Sequence, residues 1–177
     1  MFDNLRQDTR RLRAIKKESF RWYVLESLLF ENGYQAVVLY RVASWFKRHR
    51  IPFFGPFFAR LCLFVTGVDI APGALIGPGL MISHGVGIVI GDRPRIGSGA
   101  LLHHQVTLGA PTVHRIDQMP VVGRDVVIGA GARLIGGIRV GDRVFIGTNA
   151  VLTEDVPDDS KVVCDLSVQV ERRPPAS

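Results

Sequence analysis

His84 and His104 stand 20 residues apart, and each follows a large aliphatic residue, Ile82 or Leu102, by two positions. Imidazole changes charge near neutral pH, so a histidine held in place can take a proton from a hydroxyl as a general base. The spacing tells how the two are held. A hydrophobic residue recurs at every sixth position: Ile70, Ile76, Ile82 and Ile88, then after a slip of two Ile90, Ile96, Leu102 and Leu108, and finally Val122, Ile128, Leu134, Val140, Ile146 and Leu152. One turn of three hexads takes about 18 residues, so with the slip of two the imidazoles of His84 and His104 should stack on successive rungs about 4.8 Å apart. Stacked cations repel, which would keep His84 neutral at pH 7 and fit to act as a base. His103 should point elsewhere, because adjacent strand residues alternate in direction.

The elements that position these groups follow from the same period. Neither a helix nor a plain alternating strand repeats every six residues, whereas a parallel β-helix does. Glycine directly follows Val122, Ile128, Val140 and Ile146, as tight corners between flat rungs require. Fourteen residues separate Leu108 from Val122. The excess of about eight over one hexad predicts a loop at 110–119 that leaves the coil. The coil should occupy residues 67–162, preceded by a helical domain at 1–66 and followed by a tail at 163–177. Two helices are expected in the head, Leu5 to about Phe30 and Gln35 to about Arg50, punctuated at Glu31-Asn32-Gly33. Their buried positions should be Leu25, Leu28, Leu29, Val38, Leu39, Val42 and Phe46.

The apolar stretch from Ile51 to Val68 contains Pro52, Gly55, Pro56 and Arg60 and barely reaches spanning length, so it reads as packed helix or connector. No secretory signal pattern opens the chain, whose first residues are polar and basic. Cys62 and Cys164 occur in no metal-binding or paired spacing. They imply neither a disulfide framework nor a zinc site, and a cytoplasmic location. The net charge of +6 resides in residues 1–50, with 11 Lys and Arg against 5 Asp and Glu. That basic head, with Arg6, Arg10, Arg11, Arg13, Lys16 and Lys17, could touch anionic membrane. No nucleic-acid motif accompanies it.

Val68-Asp69-Ile70, Ile82-Ser83-His84-Gly85, Ile88-Val89-Ile90-Gly91, Val106-Thr107-Leu108-Gly109 and Ile128-Gly129-Ala130-Gly131-Ala132 occur in order at family separations. Over residues 4–160 the chain thereby resembles the serine acetyltransferases and their relatives that acetylate bacterial surface polysaccharides. The resemblance implies an all-β left-handed parallel β-helix with an N-terminal α-helical domain, acetyl-CoA as donor, and assembly as a homotrimer or dimer of trimers. It puts His84 in the place of the catalytic base and Asp69 in that of its carboxylate partner. Gly109, Ala130 and Thr148 match small outward residues along the pantetheine arm, and Arg133 is a candidate phosphate contact.

The departures bear on the acceptor. The Asp that usually precedes the catalytic His is Ser83 here, and the Arg-His-Pro after the loop is Gln118-Met119-Pro120. An amino acid carries a carboxylate and an ammonium that need opposite charges, and Ser83, Gln118 and Met119 supply neither. Arg115, with His114 and Asp117, could compensate from the loop, and His104 should lie near the acceptor. The expected acceptor is therefore a sugar or other non-serine hydroxyl. L-serine is the alternative, and a catalytically silent trimer the alternative of another class. A three-histidine zinc enzyme fits poorly, since only one of His103 and His104 faces a given site. The polar end of the tail, Arg172 to Ser177, lacks the apolar anchor with which the family's tails reach a sulfhydrylase.

Overall fold

The computed structural model describes residues 2–16 and 26–164. After helix α1 (Phe2–Lys16) and a helical stretch at 26–30 come α2 (Asn32–Arg48) and α3 (Phe54–Thr66). Fourteen short strands follow among the described residues, from β1 (Asp69–Ile70) to β14 (Lys161–Val162). They form three parallel sheets: sheet 1 stacks β1, β4, β7, β10 and β13; sheet 2 β2, β5, β8 and β11; sheet 3 β3, β6, β9, β12 and β14. The chain is a three-sided parallel solenoid of five rungs, as the hexads require. Every hexad position from Ile70 to Leu152 is buried, and the residue before it in each strand faces outward.

The register shows where the coil departs from its ideal turn. Val121 pairs with Arg139 and Val127 with Phe145, the regular 18 residues apart. Asp69 pairs with Val89 and Ile82 with Leu102, 20 apart, which places the two extra residues just after His84. Arg95 pairs with Val121, 26 apart, and the surplus of eight is the loop between β7 (Thr107–Gly109) and β8 (Val121–Val122). Residues 111–118 of that loop are exposed.

The helices close the first rung. Tyr40 donates its hydroxyl to the Ala74 carbonyl at 2.8 Å and accepts from the Ile76 amide. Arg41 is buried, its guanidinium held by Asp8 at 2.9 Å and by the carbonyls of Ile76 and Gly77. The Asp8 carboxylate also accepts from the Leu80 amide. Four groups thus neutralise and saturate one buried ion pair that joins α1, α2 and the coil. Removing either partner would strand the other charge, at a cost of about 3–5 kcal/mol.

Three details of the head differ from expectation. Glu31 is the residue at the N-terminal cap of α2, so the break comes there, and Asn32 and Gly33 lie inside the helix. Gly33 is required by packing, since a Cβ there would sit 2.1 Å from the Ile82 carbonyl oxygen. The buried face of α2 is Gly33, Tyr34, Ala36, Val37, Tyr40, Arg41, Ala43 and Ser44. Val38, Leu39, Val42 and Phe46 are only half-buried, and Leu28 and Leu29 are exposed. The helix has turned toward small residues and a paired arginine that permit close approach to β3 (Met81–Ser83). Leu25 and the tail beyond Cys164 lie outside the described residues.

Candidate active site

His84 follows β3 at the edge where sheet 3 turns into sheet 1. Its backbone is left-handed, with φ of 53°, and its side chain is exposed. Such a conformation is uncommon for a residue with a Cβ, though histidine is among those enriched there. The pairing of Ser83 with His103 carries the 20-residue register to the ends of β3 and β6 (Leu101–His103), and brings the next residues, His84 and His104, to the same edge.

His103, which ends β6, lies close enough to feel the charge of both. Burial, then the charges of His104 and His84, hold its pKa below the ordinary histidine value. Strict alternation ends with the strand at His103, and by Gln105, at φ 57°, the chain has turned the corner. The three imidazoles are thus electrostatic neighbours. Among the described residues no group of three or more His, Cys, Asp or Glu is arranged to hold a metal ion.

Higher on the same edge stand Ala130 and Thr148. The Gly131 amide donates to the His104 carbonyl, and the Asn149 amide to the Ala130 carbonyl, so His104, Ala130 and Thr148 occupy equivalent places on three rungs. Gly109 does not join them. It ends β7 at the opposite edge of sheet 1, with nothing within 4 Å of where a Cβ would project. Arg133 is exposed on the outer face of β10 (Arg133–Ile135), between Thr107 and Val151.

Asp69 lies on the outer face of sheet 1, on the rung that His84 completes. Its amide donates to the Ile88 carbonyl, four residues beyond His84. Among the described residues no hydrogen bond joins its carboxylate to His84. Catalytic contacts commonly tighten only once substrate is bound. Asp69 opens into a groove with Lys47 of α2 and Arg60 of α3, whereas His84 and Ser83 open into a separate cavity of about 240 Å³.

That second cavity contains a group that the sequence reading missed. Glu31 lines it together with Asn32, Gly33, Ser83 and His84. The packing of α2 on β3 brings this residue, 53 positions away in sequence, to the same cavity as His84. No spacing signal could have revealed it.

The loop residues lie elsewhere on the chain. Met119 packs over Gly91 and Gln118 lies by Gly137, both at the edge between sheets 1 and 2. Arg115, His114 and Asp117 are exposed. Within one chain, Gln118, Met119 and Arg115 are thus not gathered with His84. Burial pushes the Cys62 thiol up, helped by the charge of Asp69, which leaves it a poor nucleophile.

The repeat family "Bacterial transferase hexapeptide (six repeats)" matches residues 119–154. A serine acetyltransferase of Helicobacter pylori is 43% identical over 138 residues, covering 78% of this chain and 81% of its own length. A serine acetyltransferase of Synechococcus elongatus is 41% identical over 139 residues, and there the chain spans only 57% of the relative. A solved serine acetyltransferase in complex with CoA superposes with a TM-score of 0.80 at 30% identity, over 90% of this chain and 65% of that one. The repeat, the order of elements and 43% identity over most of both chains agree: the chain belongs to the serine acetyltransferase family.

Proposed function

We propose that the chain is an acetyl-CoA-dependent O-acetyltransferase whose acceptor is L-serine. The observation that carries this reading is His84, exposed at an open edge and sharing a cavity with the Glu31 carboxylate. His84 removes the hydroxyl proton as the oxygen attacks the thioester carbonyl. The tetrahedral intermediate then collapses, the C–S bond breaks, and the imidazolium returns its proton to the leaving CoA thiolate. Asp69 swings to the imidazole as it becomes charged and fixes its tautomer. The lowered pKa of His103 keeps one positive charge away from the base.

The relatives favour serine over the sugar expected from Ser83, Gln118 and Met119. Within one chain Gln118 and Met119 lie at another edge, and of the three only Ser83 lines the cavity beside His84. The negative charge absent from position 83 is offered by Glu31, which would receive the serine ammonium.

Assembly as a homotrimer would let one subunit's loop, with Arg115, Gln118 and Met119, meet the His84 edge of the next. Gly109 of one subunit and Ala130 and Thr148 of another would then flank the pantetheine arm, with Arg133 near its phosphates. Two unpaired cysteines suit a reducing cytoplasm. CoA release measured with L-serine, homoserine, nucleotide sugars and glycan fragments tests the acceptor. Saturable acetylation of serine with KM near or below about 1 mM is expected. A nucleotide sugar or glycan preferred over serine by about 10²-fold in kcat/KM would overturn the reading.

A further inference from the structure

α3 is apolar on both of its faces. One face, with Gly55, Cys62 and Thr66, is buried against the protein. The other carries Phe54, Phe57, Leu61, Phe64 and Val65 at helical spacing, and Phe57, Phe64 and Val65 are 60%, 80% and 56% exposed. Phe53, just before the helix, is 84% exposed. Interrupted only by the exposed Arg60, an apolar helix face of this kind marks a surface that something covers.

The charge around it narrows what that is. From Asn32 to Val68 the chain contains no Asp or Glu, and five cations. Arg41 is paired internally with Asp8, which leaves Lys47, Arg48, Arg50 and Arg60 exposed around the aromatic face. Trp45, half-buried, stacks on His49 at the same tip, with ring centroids 4.3 Å apart. Two copies of this face set against each other would bring cations against cations, and a trimer joins unlike faces, so the test below reads solution mass as well. An anionic lipid surface satisfies both the exposed rings and the single-sign charge. The helix is 13 residues, about 20 Å, and too short to cross a bilayer. Among the described residues no helix is long and apolar enough to do so.

We propose that the α2–α3 tip docks on anionic bilayers, with the rings of Phe53, Phe57 and Phe64 in the headgroup–acyl boundary and Arg48 and Arg50 against lipid phosphates. This face is distinct from the basic α1 surface, and the proposal does not depend on the acceptor. The full chain is floated with vesicles of phosphatidylcholine alone and of phosphatidylcholine with a third phosphatidylglycerol, at low and high salt. It should bind the anionic vesicles and release as salt rises. The double variant Phe57→Ser, Phe64→Ser should lose at least about tenfold in binding, with unchanged far-UV circular dichroism and unchanged mass by light scattering. Arg48→Gln with Arg50→Gln, at exposed positions, should lose about fivefold for each cation, and serves if the Phe pair fails to fold. Absence of binding to anionic vesicles, equal binding to both vesicle types, or binding unaffected by the variants would overturn the proposal. A drop in solution mass of the Phe variant would also overturn it, by showing that a second copy covers the face.

Discussion

Two edges of the solenoid share one backbone solution and put it to opposite uses. Between sheets 2 and 3 the chain turns through left-handed residues at Gly79, Gly99, Asp125, Arg143 and Asp159. Between sheets 3 and 1 it does so at His84, Gly87, Gln105, Gly131 and Asn149. The first edge ties rung to rung with side chains: Arg124 to Asp142 and Arg143 to Asp159, each at 2.6 Å, while the Asp142 amide donates to Asp158. The paired arginines hold the carboxyls of Asp142 and Asp159 below the ordinary range. The second edge has no ion pair among the described residues. It carries His84, His104, Ala130 and Thr148, and accommodates two extra residues after His84. Where the corner is self-sufficient through its backbone, its side chains are left to meet ligands.

This contrast is most sharply broken at His84. His84→Ala should lose at least about 10³-fold in acetyl transfer with acetyl-CoA affinity nearly unchanged, because the base acts on the acceptor. Activity within about tenfold of the parent would remove the edge from the chemistry. Asp69→Asn should lose less, about 10- to 10²-fold, chiefly in kcat. Glu31→Gln should raise the serine KM about tenfold and leave kcat nearly constant, whereas a purely structural Glu31 would leave KM untouched in the folded enzyme.

At the tied edge the losses should be in stability alone. A Cβ on Gly99 would strike the Asp125 carboxylate, in a backbone with φ of 74°. Gly99→Ala should therefore cost about 1–3 kcal/mol in urea unfolding with turnover per folded molecule preserved. Arg143→Ala removes an exposed pair and should shift neither the urea midpoint nor kcat measurably. A fall in kcat at Arg143→Ala would show that the two edges are not separate in function.

What could be read from the sequence follows the same division. Rungs announce themselves because each buries one residue in six, and Ile70 to Leu152 all point inward as the period demands. The existence of a two-residue slip and the loop after Leu108 were legible as arithmetic, although the slip falls after His84 and not after Ile88. The face of α2 was not, because its burial depends on small residues and on Arg41, a cation that hydropathy assigns to the surface until Asp8 neutralises it. His84 was visible through its motif and its 20-residue distance from His104. Glu31 and His103 were not, since a carboxylate on a helix and a histidine at a strand end become neighbours of His84 only through tertiary packing.

The distances along the chain also dictate an order of assembly. Neighbouring strands in the solenoid pair residues 16 to 26 apart, from Phe145 with Lys161 to Arg95 with Val121. The clamp on the first rung closes far wider loops, 72 residues from Asp8 to Leu80 and 89 from Arg11 to Ala100. Short loops close first and each formed rung templates the next, so the coil zips locally. Docking of α1 then comes last. Weakening that clamp should speed unfolding and leave the refolding rate of the coil nearly untouched.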